Sequence, residues 1–136
     1  MTESPLGSQS GLLLFAHGAR DPQWARPFEA VAARCRAQRP QTPVVLGYLE
    51  FMAPGLIEAG AQLAAAGCAA VDVVPLFLGA GGHVRKDIPV LMARLAEAHP
   101  DVTWTLRPAV GEAPAVIDAM AEVALAAANQ AVVAVR

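Results

Sequence analysis

Short dense apolar runs alternate along the chain with longer stretches in which apolar residues recur every three or four positions. Residues 11–16, 44–50, 70–78 and 102–106 are the dense runs, rich in aliphatic and β-branched side chains, and they predict four buried strands. The intervening stretches predict four helices. Trp24, Phe28, Val31, Ala32 and Cys35 share one face of the first, and Leu56, Ile57, Leu63 and Ala64 one face of the second. Ile88, Leu91, Met92 and Leu95 stripe the third, and Val116, Met120 and Val123 the fourth, over 114–128.

Local signals punctuate the pattern. Asp21-Pro22 reads as an N-cap followed by proline in the first helical turn, and Pro40 closes that helix. Ala53-Pro54 opens the second helix and Gly67 stops it, while Lys86-Asp87-Ile88-Pro89 opens the third and His99-Pro100 ends it. Pro75 within the third strand removes a ladder donor, which predicts a bulge or an early end to pairing. Residues 1–10 are polar and without period, a flexible N-terminal tail, and 131–135 read as a short fifth strand or a frayed end.

Strand and helix thus alternate four times in a single domain over 11–136. The expected fold is α/β: a three-layer, doubly wound domain with a mainly parallel four-stranded sheet and helices on both faces. Strand order 2-1-3-4 is the doubly wound choice and sets strands 1 and 3 side by side at the switch point.

Composition narrows the function classes. Apolar residues make up 55% of the 136 and charged residues 16%, which suits a buried sheet and hints at a covered partner surface. A net charge of −2, without a basic block or interleaved aromatic and basic residues, gives no footprint for nucleic acid. No run approaches the ~18 apolar residues of a membrane span, and the N-terminus lacks a basic region followed by an apolar stretch, so the expectation is a cytoplasmic protein. Cys35 and Cys68 match no zinc or redox spacing and read as reduced structural thiols.

Candidate chemistry gathers at the ends of the first three dense runs, which lead to His17, Glu50 and His83. On neighbouring parallel strands these side chains meet at the carboxyl edge of the sheet, where open α/β sheets bind ligands. Neutral imidazole suits cobalt, nickel, iron and zinc, and two histidines can hold a divalent ion with positions left open. Glu50 reads either as a ligand or proton acceptor, or as a solvated carboxylate at a strand end, or as the cap of the helix near Pro54. Gly79, Gly81 and Gly82 fit neither the P-loop nor the dinucleotide fingerprint, which argues against a nucleotide; residues without side chains let a flat, bulky ligand approach the backbone. Arg20, Arg85 and Lys86 flank the histidines and favour an anionic substrate, with the arginines better suited to carboxylates. His99 stands apart at a helix end. Ala16 precedes His17 where a histidine phosphatase needs an arginine, which argues against that activity.

Three motifs together resemble the sirohydrochlorin cobaltochelatase family of class II tetrapyrrole chelatases, in its short single-domain form. They are His17-Gly18-Ala19-Arg20-Asp21-Pro22, Tyr48-Leu49-Glu50-Phe51-Met52-Ala53-Pro54, and Pro75-Leu76-Phe77-Leu78-Gly79-Ala80-Gly81-Gly82-His83-Val84 through Asp87-Ile88-Pro89, in the family's order. The resemblance covers roughly residues 11 to 127 and implies a chelatase-like fold. It also implies ATP-independent insertion of a divalent metal, Co2+ or alternatively Fe2+ or Ni2+, into a tetrapyrrole, with His17 and His83 as the metal-site histidines. Larger members carry two such domains across a cleft, so the short form implies a homodimer whose second copy supplies the other wall. A noncatalytic metal or tetrapyrrole carrier on the same site is the alternative.

Overall fold

A computed structural model describes residues 9–79 and 81–130, with the side chains of Gly82 and His83 outside the description. Strands β1 (Gln9–Ala16), β2 (Val44–Tyr48), β3 (Cys68–Pro75) and β4 (Thr103–Leu106) form one sheet in the order β2-β1-β3-β4. All three pairings are parallel, as expected. The expected tail up to residue 8 and the segment 131–135 lie outside the described residues, and β1 begins at Gln9.

Alternation along β1 explains why both faces of the sheet are covered near its centre. Leu13 and Phe15 point to one face, where Leu56, Ala59 and Leu63 of α2 (Leu56–Ala65) and Val84, Ile88 and Leu95 of α3 (Gly82–Ala98) bury them. Leu12, Leu14 and Ala16 point to the other, under Phe28, Ala32 and Cys35 of α1 (Arg26–Gln38). Arg36 ties α1 to β2 by donating Nε and one Nη to the Val44 carbonyl, at 3.2 and 3.0 Å. Val31, expected on the inner face of α1, is exposed.

Several element boundaries depart from expectation for local reasons. Pairing in β3 ends at Pro75, the early end its missing donor predicts, so the strand does not reach Leu78. Helix α3 starts after Gly81, about a turn before Lys86, and His83 therefore sits in its first turn rather than at a strand end. Pro89 is consequently inside α3; it lies on the exposed face, where water can solvate the Arg85 carbonyl that loses its helical partner. Helix α2 starts at Leu56, not at Ala53-Pro54, because the Pro54 carbonyl accepts the Tyr48 amide at 2.9 Å and holds that segment beside β2. Gly67, at φ +91°, provides the left-handed stop after α2.

Helix α4 (Pro114–Ala128) is the larger departure. It has no buried residue, and only Val116 of its expected inner stripe is even half-buried. Val123 and Leu125 are 69% and 70% exposed. The helix contacts chiefly the 3-10 turn Val110–Glu112, so among the described residues no helix packs extensively on the α1 side of β3 and β4, with Asp72, Val74, Leu76 and Thr105.

Candidate metal and tetrapyrrole site

Backbone pairing continues past the strands at the carboxyl edge. The Leu49 amide donates to the Ala16 carbonyl at 2.9 Å and the Glu50 amide to the His17 carbonyl at 3.1 Å. The loops after β1 and β2 are thereby zipped together, and Gly18 lets them close: at φ +91° it takes a conformation disfavoured for other residues, and a Cβ there would collide with the Glu50 carbonyl.

This backbone arrangement brings two of the expected side chains together. His17 Nε2 and Glu50 Oε1 are 3.4 Å apart, with the side chains 45% and 48% exposed. Two ligands each ~2.1 Å from a tetrahedral ion stand about 3.4 Å from one another, so the separation of the pair matches that of two ligands sharing a divalent metal. Glu50 does not cap α2, whose N-cap is Gly55 without a side-chain bond. Among the described residues no three metal-binding side chains cluster. The backbone of His83 lies in the first turn of α3, which follows β3, the strand next to β1.

Aromatic rings border the pair on two sides. Phe77, buried in the core, meets His17 edge-on with centroids 6.3 Å apart and rests on Phe15 at 5.6 Å. On the other side Arg20 lies over the ring of Phe51, 4.8 Å from its centroid. Neither phenylalanine was among the expected site residues. Their only sequence signal is position: Phe51 directly follows Glu50, and Phe77 lies between β3 and the glycine cluster.

The flanking residues fall into two groups. Arg20 stands beside the His17–Glu50 pair through Phe51, whereas Arg85 lines a cleft of about 310 Å³ with Phe77, Gly79, Arg107 and Glu112. Arg107 is already paired with Asp72, Nε to Oδ1 at 2.8 Å. At Gly79 and Gly81 an added Cβ would meet nothing within 4 Å, and the φ of Gly81 is an ordinary −70°, so packing demands glycine at neither and open space lies above both. His99 belongs to the scaffold: its carbonyl accepts the Trp104 indole N–H at 3.3 Å.

Burial pushes the Cys68 thiol above its ordinary pKa. It does the same to the Tyr48 phenol, with the charge of Glu29 adding to the effect. Both groups therefore stay protonated near neutral pH and are unsuited to accepting a proton there.

Comparison with known proteins bears on the family and the fold. The CbiX family model matches residues 11–127. The chain belongs to the CbiX family. Sirohydrochlorin cobaltochelatase of Methanothermobacter thermautotrophicus is 35% identical over 82 residues, covering 60% of this chain and 57% of that protein. The Saccharolobus solfataricus sirohydrochlorin cobaltochelatase is 38% identical over 82 residues, covering 60% of this chain and 62% of its own length. The matched segments thus span less than two thirds of these relatives. Among solved structures, a CbiX protein from Marinobacter aquaeolei VT8 superposes with a TM-score of 0.79 at 30% identity, covering 90% of this chain and 99% of that one. The cobalt complex of the sirohydrochlorin chelatase SirB from Bacillus subtilis subspecies spizizenii shares the fold, with a TM-score of 0.74 at 24% identity over 84% of this chain and 49% of that one. Both CbiX and SirB structures match the doubly wound sheet described above.

Proposed function

We propose that this CbiX-family chain inserts a divalent metal into sirohydrochlorin or a closely related tetrapyrrole without ATP. The observation that carries the reading is the His17–Glu50 pair, 3.4 Å apart on an open sheet edge. His17 and His83 hold the incoming ion, Glu50 completes the set or takes protons, and the remaining positions face the macrocycle. Insertion exchanges one divalent ion for the two inner pyrrole protons, so an acceptor beside the ring centre is required. Arg20 and Arg85 pair with carboxylates on the macrocycle rim, and the open space above Gly79 and Gly81 admits its flat face beside Gly82. Cobalt is the proposed metal, with iron and nickel as competitors, because N and O ligands bind all three and rank them by availability as much as affinity.

The active form is a homodimer. A flat macrocycle on one open sheet edge would remain half in water, and the exposed apolar side chains of α4 support a second copy as cover.

Mixing the protein with metal-free sirohydrochlorin and Co2+, Fe2+ or Ni2+ and following the macrocycle absorbance tests the reading. Multiple turnovers above a protein-free control are expected. A spectral change that saturates at one macrocycle per site would instead identify a carrier, and no change with any metal would remove the tetrapyrrole from the account.

A further inference from the structure

Phe51 combines three features that folding alone does not explain. Its backbone sits at φ +65°, in the left-handed region, at the centre of a three-residue turn closed by the Met52 amide donating to the Glu50 carbonyl at 2.8 Å. Such γ-turns are rare and strained, and glycine or asparagine would occupy the position more readily. The residue is 57% exposed, so burial does not offset that strain. The surrounding structure nevertheless enforces the turn: Leu49 packs against the core on one face of the sheet, Met52 against the core on the other, and the Glu50 amide is held by His17. A strained residue that its neighbours over-determine, beside a reactive pair, is the pattern expected of a ligand-contacting position.

The ring also has a defined companion. The Arg20 guanidinium lies over it at 4.8 Å, which sets a cation beside a flat apolar surface next to Glu50. That combination suits a ligand with a broad π face and carboxylates at its rim.

We propose that Phe51 is a substrate-contacting platform: its exposed ring packs against the face of the macrocycle beside the metal pair, while Arg20, steadied by the same ring, pairs with a rim carboxylate. The proposal rests on the chelatase reading above and adds a residue that determines affinity for the macrocycle rather than for the metal.

Titration of metal-free sirohydrochlorin into wild type, Phe51→Gly, Phe51→Leu and Phe51→Tyr, with melting temperatures and steady-state insertion of Co2+ measured on the same samples, provides the test. Loss of the flat ring in the glycine and leucine variants is expected to raise the dissociation constant and KM about tenfold with little change in kcat, while tyrosine binds as wild type does. Phe51→Gly should melt no lower than wild type, because glycine accepts the positive φ. Wild-type affinity in both the glycine and leucine variants would overturn the proposal while leaving the chelatase reading intact. A lower melting temperature in Phe51→Gly, with binding lost in Phe51→Tyr as well, would also overturn it by assigning Phe51 to the scaffold. Failure of wild type to bind or metallate the macrocycle would sink both.

Discussion

Glu50 is positioned by its main chain more than by its carboxylate. Its amide is bonded to His17 and its carbonyl accepts from Met52, so the side chain is presented to solvent at a set place beside the imidazole. Replacing Glu50 with Gln keeps the size and those backbone bonds while removing the charge. If the carboxylate takes protons or binds the ion, kcat/KM for insertion should fall about 10²-fold with an unchanged circular dichroism spectrum. Unaltered kinetics would reduce Glu50 to a solvated carboxylate. His83→Ala should abolish insertion without unfolding the domain, because α3 is anchored in the core by Val84, Ile88 and Leu95; full activity in that variant would take His83 out of the mechanism.

At the level of elements, the site depends on two loops closing against each other. Gly18 is the tight point, because a methyl group there faces both a positive φ and the Glu50 carbonyl. Gly18→Ala is expected to cost at least ~2 kcal/mol in urea unfolding, and to depress insertion even where the protein remains folded. Wild-type stability would mean that the loops can part without penalty. The third strand and helix make a complementary point. Pro75 ends β3 and Gly81 caps α3, so the connection between them carries the glycine cluster past the sheet edge and delivers His83 from a helix. The backbone of that first turn is held by the packing of Val84, Ile88 and Leu95 in the core.

For the molecule as a whole, α4 is the most exposed apolar element. Two carboxylates, Asp118 and Glu122, are its only charged side chains, and they lie one turn apart on one side. A helix so apolar is expected against another surface, yet here its side chains face outward. If a second copy covers it, Val123→Glu should convert the protein from dimer to monomer in sedimentation equilibrium while leaving the sheet intact. A dimer that persists would put the contact elsewhere, and a monomeric wild type would remove it altogether.

Much of this was legible before any coordinates. Four strands and four helices follow from dense apolar runs alternating with stretches of period about 3.6, and a parallel sheet follows from that alternation and the handedness of crossovers; the order β2-β1-β3-β4 is the doubly wound choice among the parallel arrangements. The break at Pro75 and the stop at Gly67 were equally local, since each residue restricts its own backbone. The meeting of His17 with Glu50 was foreshadowed by their positions after adjacent strands, but their 3.4 Å separation depends on hydrogen bonds between loops distant in sequence. The start of α3 was misplaced because Asp87-Ile88-Pro89 carries the local marks of a helix start, while core packing through Val84 extends the helix beyond them. The exposure of Phe51 and the uncovered face of α4 are not legible locally: position beside Glu50 and an apolar-rich composition are the only hints of them. A left-handed φ on an aromatic residue exists only when neighbouring chain segments enforce it, and whether an apolar helix finds cover depends on the whole sheet; the sequence alone therefore determined the elements and their order, and tertiary structure decided which side chains meet and which surfaces remain open.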